Sequence, residues 1–391
     1  MEHILACHDL VKTDFVRGEG SFLYDAGGRR YVDFEAGIWC AGLGHGHPRV
    51  NAAMREQIER LVHLSHRYTN ALAEEAAIDV LDTLAHRDGK CVFLSSGSEA
   101  VEFAVQAARR VTGKPLFLAL EGSYLSAYGS SGGMREEEWS LFDWKACASC
   151  RRADACGPDC PHLRGVPFDR IGALVFEGGH LRGTVRILPQ RLVDALVRGV
   201  REAGGLLVAN EVTAGLGRTG AWYGFEHYAL RPEVVALGKG LGNGYPVSAV
   251  ALSRDVAGRL EASGLRYAQS HQNDPLGCAV AREVIAVLRE EGLVERAREV
   301  GGRFMDELRG LAARRDDIRE VRGRGLMIAV EFERGEGRPS THDLQRDLLE
   351  RGFLVGANAE ANVLRFYPPL VIGEEEIASL LENLDEILEV S

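Results

Sequence analysis

The sequence predicts an α/β protein, with a mostly parallel central sheet in a large domain and a smaller α+β domain, on three observations. From residue 91 onward short apolar runs alternate with segments of helical spacing, which is the signature of an open parallel sheet. The runs at 91–94, 115–120, 171–176, 206–209 and 234–237 each close on glycine or polar residues, so their carboxyl ends converge on one crevice. Beyond residue 294 the pattern changes to helices separated by short strands.

In chain order, residues 20–34 alternate as strands on either side of the turn signal Asp25-Ala-Gly-Gly28, and so read as a hairpin. Gly37-Ile-Trp-Cys-Ala-Gly-Leu-Gly-His-Gly-His-Pro48 follows, glycine-rich and carrying Trp39, His45 and His47, before a Pro-started helix over 48–64. The two histidines read as loop residues that hydrogen-bond backbone, with metal as the sharper alternative. Ser95-Ser-Gly-Ser-Glu99 is a turn opening a helix over 100–110. Such a helix start presents unpaired N–H groups and the positive dipole end, a seat for phosphate, with a plain N-cap as the alternative. Glu121-Gly-Ser-Tyr124, Glu177-Gly-Gly-His180 and Asn210-Glu-Val-Thr213 stand at strand ends as candidate site walls. A long amphipathic helix over 275–291 leads to helices at 294–314, 344–351 and 374–388, with strands at 325–332 and 362–366 between them.

The stretch Glu233-Val-Val-Ala-Leu-Gly-Lys239-Gly-Leu-Gly-Asn-Gly-Tyr-Pro246 ends a buried strand on one lysine and then dissolves into glycines. Desolvation there disfavours the ammonium and frees the amine to form a Schiff base with an aldehyde cofactor. The plain alternative is a surface lysine on a flexible loop. It is not a Walker loop, because Gly240 stands where that motif needs Ser or Thr.

With 391 residues, 46% of them hydrophobic, the chain can bury a large core, and a net charge of −11 without a basic stripe argues against a nucleic-acid binder. No apolar run approaches the ~18 residues that span a bilayer and no targeting pattern opens the chain, so a cytoplasmic protein with no membrane partner is expected. Cys147, Cys150, Cys156 and Cys160 are packed together, while Cys7, Cys40, Cys91 and Cys278 are scattered. In a reducing compartment the cluster points to a structural metal, with zinc ahead of an iron–sulfur centre; free or disulfide-bonded cysteines are the plain alternative.

Taken together, Gly44-His-Gly-His-Pro48, Ser96-Gly-Ser-Glu-Ala100, Gly215-Leu-Gly-Arg-Thr-Gly220, Gly238-Lys-Gly240 and Leu364-Arg-Phe-Tyr-Pro-Pro-Leu370 resemble the class III aminotransferases, in order and in spacing. That family depends on pyridoxal 5'-phosphate and has fold type I, the aspartate-aminotransferase fold. The resemblance implies that Lys239 carries the cofactor as an imine and that Ser96, Gly97 and Ser98 hold its phosphate. It further implies that Tyr124 stacks on the ring, that Asn210 and Thr213 contact it, and that Ser270 reaches the phosphate of the neighbouring subunit in a homodimer. Trp39, Glu177, Arg182 and Arg365 are the substrate contacts it implies, Arg365 gripping an anion by bidentate hydrogen bonds. The expected organisation is an N-terminal segment over 1–45 belonging to the small domain, a cofactor domain over 46–295 with a Cys-rich insert at about 140–165, and a small domain over 296–391. The glycines at 215–220 also match a dinucleotide fingerprint, but a poor helix start follows them, which makes a nicotinamide enzyme a distant alternative.

Three departures from the family stand out. Asn210 replaces the Asp that pairs with the pyridinium nitrogen, and Thr213 replaces a glutamine. Arg182 falls where relatives carry an acidic partner for the arginine equivalent to Arg365; if it points into the site, two arginines without a gating carboxylate favour a substrate with extra negative charge, and a surface arginine is the equal alternative. The Cys-rich insert is the third. The expected reaction is amino transfer between a primary amine or amino acid and a keto acid. The alternatives are a lyase on the same scaffold, eliminating ammonia or a β-substituent, and a non-catalytic protein that binds pyridoxal phosphate and metal.

Overall fold

A computed structural model describes residues 3–5, 7–8, 10–150, 156–157, 160–179, 182–335 and 337–390. The N-terminal strands are β1 (Phe15–Glu19), β2 (Phe22–Asp25) and β3 (Arg30–Asp33). Seven strands build the central sheet: β4 (Lys90–Leu94), β5 (Leu116–Leu120), β6 (Trp139–Phe142), β7 (Ile171–Glu177), β8 (Leu206–Asn210), β9 (Val234–Leu237) and β10 (Ser248–Leu252). The C-terminal strands are β11 (Ile318–Arg324), β12 (Met327–Phe332), β13 (Phe353–Leu354), β14 (Gly356–Asn358) and β15 (Val363–Phe366).

The central sheet runs β4-β10-β9-β8-β7-β5-β6. Its pairings from β6 through β9 are parallel, and β10 lies antiparallel to both β9 and β4. Strands β5, β7, β8, β9 and β10 are buried along their whole length, which is why they read as unbroken apolar runs and not as alternation. One face takes the helix Gly97–Thr112, whose Ala100, Val101, Ala104, Val105 and Ala108 pack over Val175, Val208 and Val250. On the opposite face the helix Pro275–Glu290 sets Val280, Val284 and Ile285 against a cluster that includes Ala209, Val235 and Leu237.

Both β6 and β10 escaped the sequence reading, as did the helices Ala71–Thr83, Gln190–Glu202 and Arg254–Ala262. Trp139-Ser-Leu-Phe142 is too short to distinguish from loop, and Ser248–Leu252 lies so soon after the lysine loop that no crossover helix announces it. The strand expected at 325–332 is β12, and the unforeseen β11 precedes it in a hairpin that turns at Gly325. After Gly215-Leu-Gly-Arg-Thr-Gly220 the chain forms turns and a short 3-10 segment at Gly224–Tyr228, so the helix that a dinucleotide fingerprint requires is missing there.

The two chain ends meet. β1, β2, β3 and β13 form one sheet in which β3 pairs in parallel with β13, while β11, β12, β15 and β14 form another that is wholly antiparallel. Tyr367 N–H donates to Phe34 O at 2.7 Å and Leu370 N–H to Gly42 O at 2.8 Å, which lays the segment after β15 beside the loop after β3. No helix among the described residues is long and apolar enough to cross a membrane.

Arg218 ties the glycine-rich turn to this C-terminal part. Its side chain is 4% exposed and donates to the carbonyls of Leu326 and Pro368, and Leu326 N–H donates back to Arg218 O at 3.0 Å. Burial lowers its pKa to about 10. The Arg218→Ala variant leaves two buried carbonyls without donors, so stability falls by about 2–4 kcal/mol. Urea unfolding measures the loss, and an unchanged midpoint contradicts this account of the residue.

Candidate active site

Parallel strand order dictates where a site forms, since the ends of β7, β8 and β9 open on one side of the sheet. Lys239 follows β9 directly, in a short 3-10 turn, with φ +45°. Its Nζ donates to Thr213 Oγ1 at 2.7 Å and lies 4.4 Å from the ring centre of Trp39. Burial lowers the lysine's pKa to about 8, opposed by the nearby Cys40 and Glu177. The amine is thereby available near neutral pH, as a nucleophile at this position needs.

Trp39 is held by an unusual backbone. Ala36, Gly37, Ile38 and Trp39 have φ of 45°, 56°, 58° and 68°, a left-handed helical turn that closes with Trp39 N–H on Glu35 O at 2.7 Å and Cys40 N–H on Ala36 O at 2.9 Å. Such a conformation costs about 1–2 kcal/mol for each non-glycine residue. Asp33 offsets it: its carboxylate accepts the N–H of Glu35 at 2.8 Å and of Gly37 at 2.9 Å, and meets His45 Nε2 at 2.7 Å. His45 thus pairs with a carboxylate, not with backbone as expected, and His47 lies 3.8 Å from Glu291. Sequence reasoning gave Asp33 no role; the clue was Asp33 preceding a run that ends in glycines.

The same turn aims Glu35 at Arg365. Arg365 Nη2 is 3.6 Å from Glu35 Oε2, its guanidinium lies 5.2 Å from the Trp39 ring centre, and its buried Nε has no hydrogen-bond partner. Burial raises the Glu35 pKa, against the pull of Arg365. A carboxylate therefore does face Arg365, which corrects the expectation of two arginines without one. It comes from the N-terminal segment, where no local motif announces it. Arg182 is exposed with φ +53°, and its backbone O accepts from Asn358 Nδ2 at 3.3 Å; His180 and Leu181 lie outside the described residues. Arg365 packs on Gly183, where an added Cβ would fall 2.3 Å from its Nη1.

On the other side of the lysine, Ser96 caps the helix Gly97–Thr112. Ser96 Oγ accepts Glu99 N–H at 3.2 Å while the Glu99 carboxylate takes the N–H groups of Ser95 and Ser96, a capping box. Gly97 and Ser98 are left to offer their amides outward. Gly97 must lack a side chain, because a Cβ there would meet Val212 Cγ1 at 2.5 Å, and Gly238 lies close by the same test, its own Cβ falling 3.2 Å from Gly97 Cα. The lysine turn and the helix start are thus pressed together. Ser98 Oγ accepts Ala127 N–H at 2.9 Å.

Glu177 and Asn210 are register partners across β7 and β8, and both hold Tyr124 by its backbone. Glu177 Oε2 accepts Tyr124 N–H at 3.0 Å, and Asn210 Nδ2 reaches Tyr124 O at 3.5 Å. Burial raises Glu177 to about 7, with the Tyr124 hydrogen bond and then Lys239 pulling it back. Tyr124 as a whole is 44% exposed. Glu211, fully buried and raised to about 8 by burial, spends its carboxylate on the N–H groups of Gly224 and Phe225. Ser270 is exposed in the loop before the helix Pro275–Glu290. Its neighbour Gln269, unforeseen in the sequence, donates to Ser95 Oγ and Glu99 Oε1 at 3.3 Å each.

The four clustered cysteines lie away from these residues, beside the helix Gln190–Glu202. Residues 151–155 and 158–159 of that insert lie outside the described residues. Cys147 and Cys160 are buried, Cys150 and Cys156 partly so, and all are free. Burial pushes the Cys147 thiol up to about 11, with Cys160, Cys156 and Cys150 adding to it. Among the described residues, the one group of three or more potential ligands gathered within 4.8 Å is elsewhere: His63, His271 and Asp274. There each imidazole Nδ1 pairs with its own oxygen of Asp274, at 2.7 and 2.5 Å, a set that satisfies itself at the positive end of a helix.

Comparison with known proteins places this geometry in context. The family described as "Aminotransferase class-III" matches residues 6–127 and 151–388, and so passes over the segment that holds Cys147 and Cys150. The acetylornithine aminotransferase of Methanosarcina mazei is 34% identical over 95% of this chain and 90% of its own length. That of Methanopyrus kandleri is 35% identical over 96% and 94%. Among solved structures, the acetylornithine aminotransferase of Elizabethkingia anophelis superposes with a TM-score of 0.83 at 25% identity, over 100% of this chain and 97% of that one.

The lysine carries a test that needs no cofactor. Because its pKa is lowered, the unreactive ammonium dominates below about pH 8 and the free amine above it. Labelling of Lys239 by trinitrobenzenesulfonate, followed by peptide mapping, should rise through about pH 8 and level off, whereas an ordinary exposed lysine goes on rising toward about pH 10. A profile for Lys239 that matches the exposed lysines contradicts the buried-amine assignment.

Proposed function

The chain belongs to the class III aminotransferases, and from that premise we propose how its residues divide the work of moving an amino group between a primary amine or amino acid and a keto acid. The observation that carries the reading is the buried Lys239 amine, set between Thr213 and the face of Trp39 and lowered to about 8. The family depends on pyridoxal phosphate, and the residues present fit it: one desolvated amine, a helix start with free amides, and glycines at 97 and 238 where side chains would fill the space between them. When bound, the cofactor supplies an aldehyde that captures the amine and a ring that takes up electrons from the bond being broken.

Lys239 holds the cofactor, then moves a proton at Nζ, its lowered pKa matching that task near neutral pH. The amides of Gly97 and Ser98, capped by Ser96, hold the phosphate. Tyr124, steadied by Glu177 and Asn210, covers the ring, and Thr213 keeps the amine in place. Arg365 binds a carboxylate of the substrate remote from the reacting amine, Glu35 yielding its place when that anion arrives. The loose 3.6 Å contact and the burial that raises Glu35 both make this exchange cheap. An amine with such a carboxylate agrees with the acetylornithine named for the relatives. Arg182 stands at the rim as a second cation for substrates with further negative charge, and Trp39 forms the wall between the two ends.

The active protein is a homodimer in the cytoplasm. Supporting the dimer are the exposed apolar side chains of Ile58, Leu61, Val62 and Tyr68 and the outward position of Ser270, which reaches the partner subunit's phosphate. Eight free cysteines support a reducing compartment. The cofactor domain spans 46–295 with the insert at about 140–165, and the segments 1–45 and 296–391 make the small domain, a division supported by the pairing of β3 with β13. The cysteine insert binds a structural metal, zinc ahead of iron–sulfur, supported by the spacing of its four thiols and by Cys150, Cys156 and Cys160 lying near enough to Cys147 to help raise its thiol.

Two measurements test this. Purified protein incubated with candidate amino acids should form product only when a keto acid is present, and Lys239→Ala should lower turnover by about 10³-fold or more. Ammonia released without an acceptor would move the assignment to the lyase. Elemental analysis of protein purified without added metal should find about one zinc, or one iron–sulfur cluster, per chain, lost when Cys147 and Cys160 are changed to Ser. Absence of both metals ends the metal reading.

A further inference from the structure

The floor of the site is made by two side chains at the ends of adjacent parallel strands, Glu177 on β7 and Asn210 on β8. Glu177 is already engaged: Oε2 accepts Tyr124 N–H, and its charge faces Lys239. Asn210, 5% exposed, is oriented by its neighbours. Its Oδ1 accepts Val212 N–H at 3.3 Å, which fixes the oxygen end toward its own backbone and turns the NH₂ end the other way. That NH₂ has two hydrogens. One reaches Tyr124 O at 3.5 Å, the outer limit of a hydrogen bond, and the other has no partner among the described residues. A buried donor with one hydrogen unspent among the described residues is thus left at the carboxyl end of β8, the end that opens on the crevice.

In pyridoxal phosphate the ring nitrogen stands para to the aldehyde carbon, so it points away from the lysine that holds that carbon. The polar end open on that side is the Asn210 amide. Resting on the cofactor reading above, we propose that Asn210 donates an N–H to the ring nitrogen and so keeps that nitrogen unprotonated. A protonated nitrogen is itself a donor, and it would meet another donor in a site where an unmatched buried polar pair is costly. Placing a carboxylate at 210 instead would set a third buried acid beside Glu177 and Glu211 and would oppose Tyr124 O with another acceptor. The neutral amide suits this floor, and it makes the ring a weaker store for electrons than a pyridinium, so the proton handling at Lys239 carries more of the reaction.

The experiment reconstitutes the full-length protein with pyridoxal phosphate labelled with ¹⁵N in the ring and reads the nitrogen resonance at neutral pH. The expected result is a wild-type signal in the unprotonated pyridine range, shifted upfield into the pyridinium range by Asn210→Asp. A wild-type signal already in the pyridinium range, with the cofactor bound at Lys239, overturns the proposal and leaves the aminotransferase assignment intact. Failure of the labelled cofactor to bind at all removes the cofactor reading, and this proposal with it. If Asn210→Asp does not fold, the wild-type resonance alone decides.

Discussion

One partly buried amine organises this molecule. Lys239 sits just past the carboxyl end of a fully buried strand, where burial disfavours its ammonium and a threonine hydroxyl and an indole face lie beside it. The fold follows from that need. A parallel sheet buried on both faces brings three strand ends to one crevice, and the antiparallel β10 returns the chain behind the lysine loop so that the loop is fixed at both ends. The side chains that reach the amine come from segments far apart in the sequence: Trp39 from the N-terminal turn, Thr213 from the loop after β8, and Arg365, sharing the Trp39 ring, from β15.

The N-terminal turn shows how strain is used. A left-handed turn through Ala36, Ile38 and Trp39 has no intrinsic preference behind it, yet it sends Glu35 and Trp39 to the same side of the pocket. It persists because Asp33, braced by His45, satisfies the turn's amides, and because Tyr367 and Leu370 hydrogen-bond across to Phe34 and Gly42. Strain of a few kcal/mol at a site, offset by surrounding hydrogen bonds, is a common cost of preorganisation. Here it gives Arg365 a carboxylate partner, Glu35, from the other end of the chain.

Much of this was legible in the sequence where the signal is local. Continuous apolar runs gave the parallel strands, the Ser/Gly turn at 95–99 gave the start of the helix Gly97–Thr112, and one lysine among glycines marked the end of β9. What was not legible depends on tertiary contacts. Glu35 looks like any acidic residue after a strand until β15 is laid beside it, and Gln269 only gains meaning once its loop reaches Ser95. The strands β6 and β10 are too short, and too close to loops, for their periodicity to declare them. His45 was read as bonding backbone because its carboxylate partner lies twelve residues earlier, in a strand.

Lys239, and no other lysine, is expected to bear the cofactor. Borohydride reduction of the protein loaded with pyridoxal phosphate, followed by proteolysis and mass spectrometry, tests it directly. The expected result is one pyridoxyl-modified peptide, with the label on Lys239 and unlabelled lysines elsewhere. Label on a different lysine, or spread evenly over the exposed ones, would contradict it.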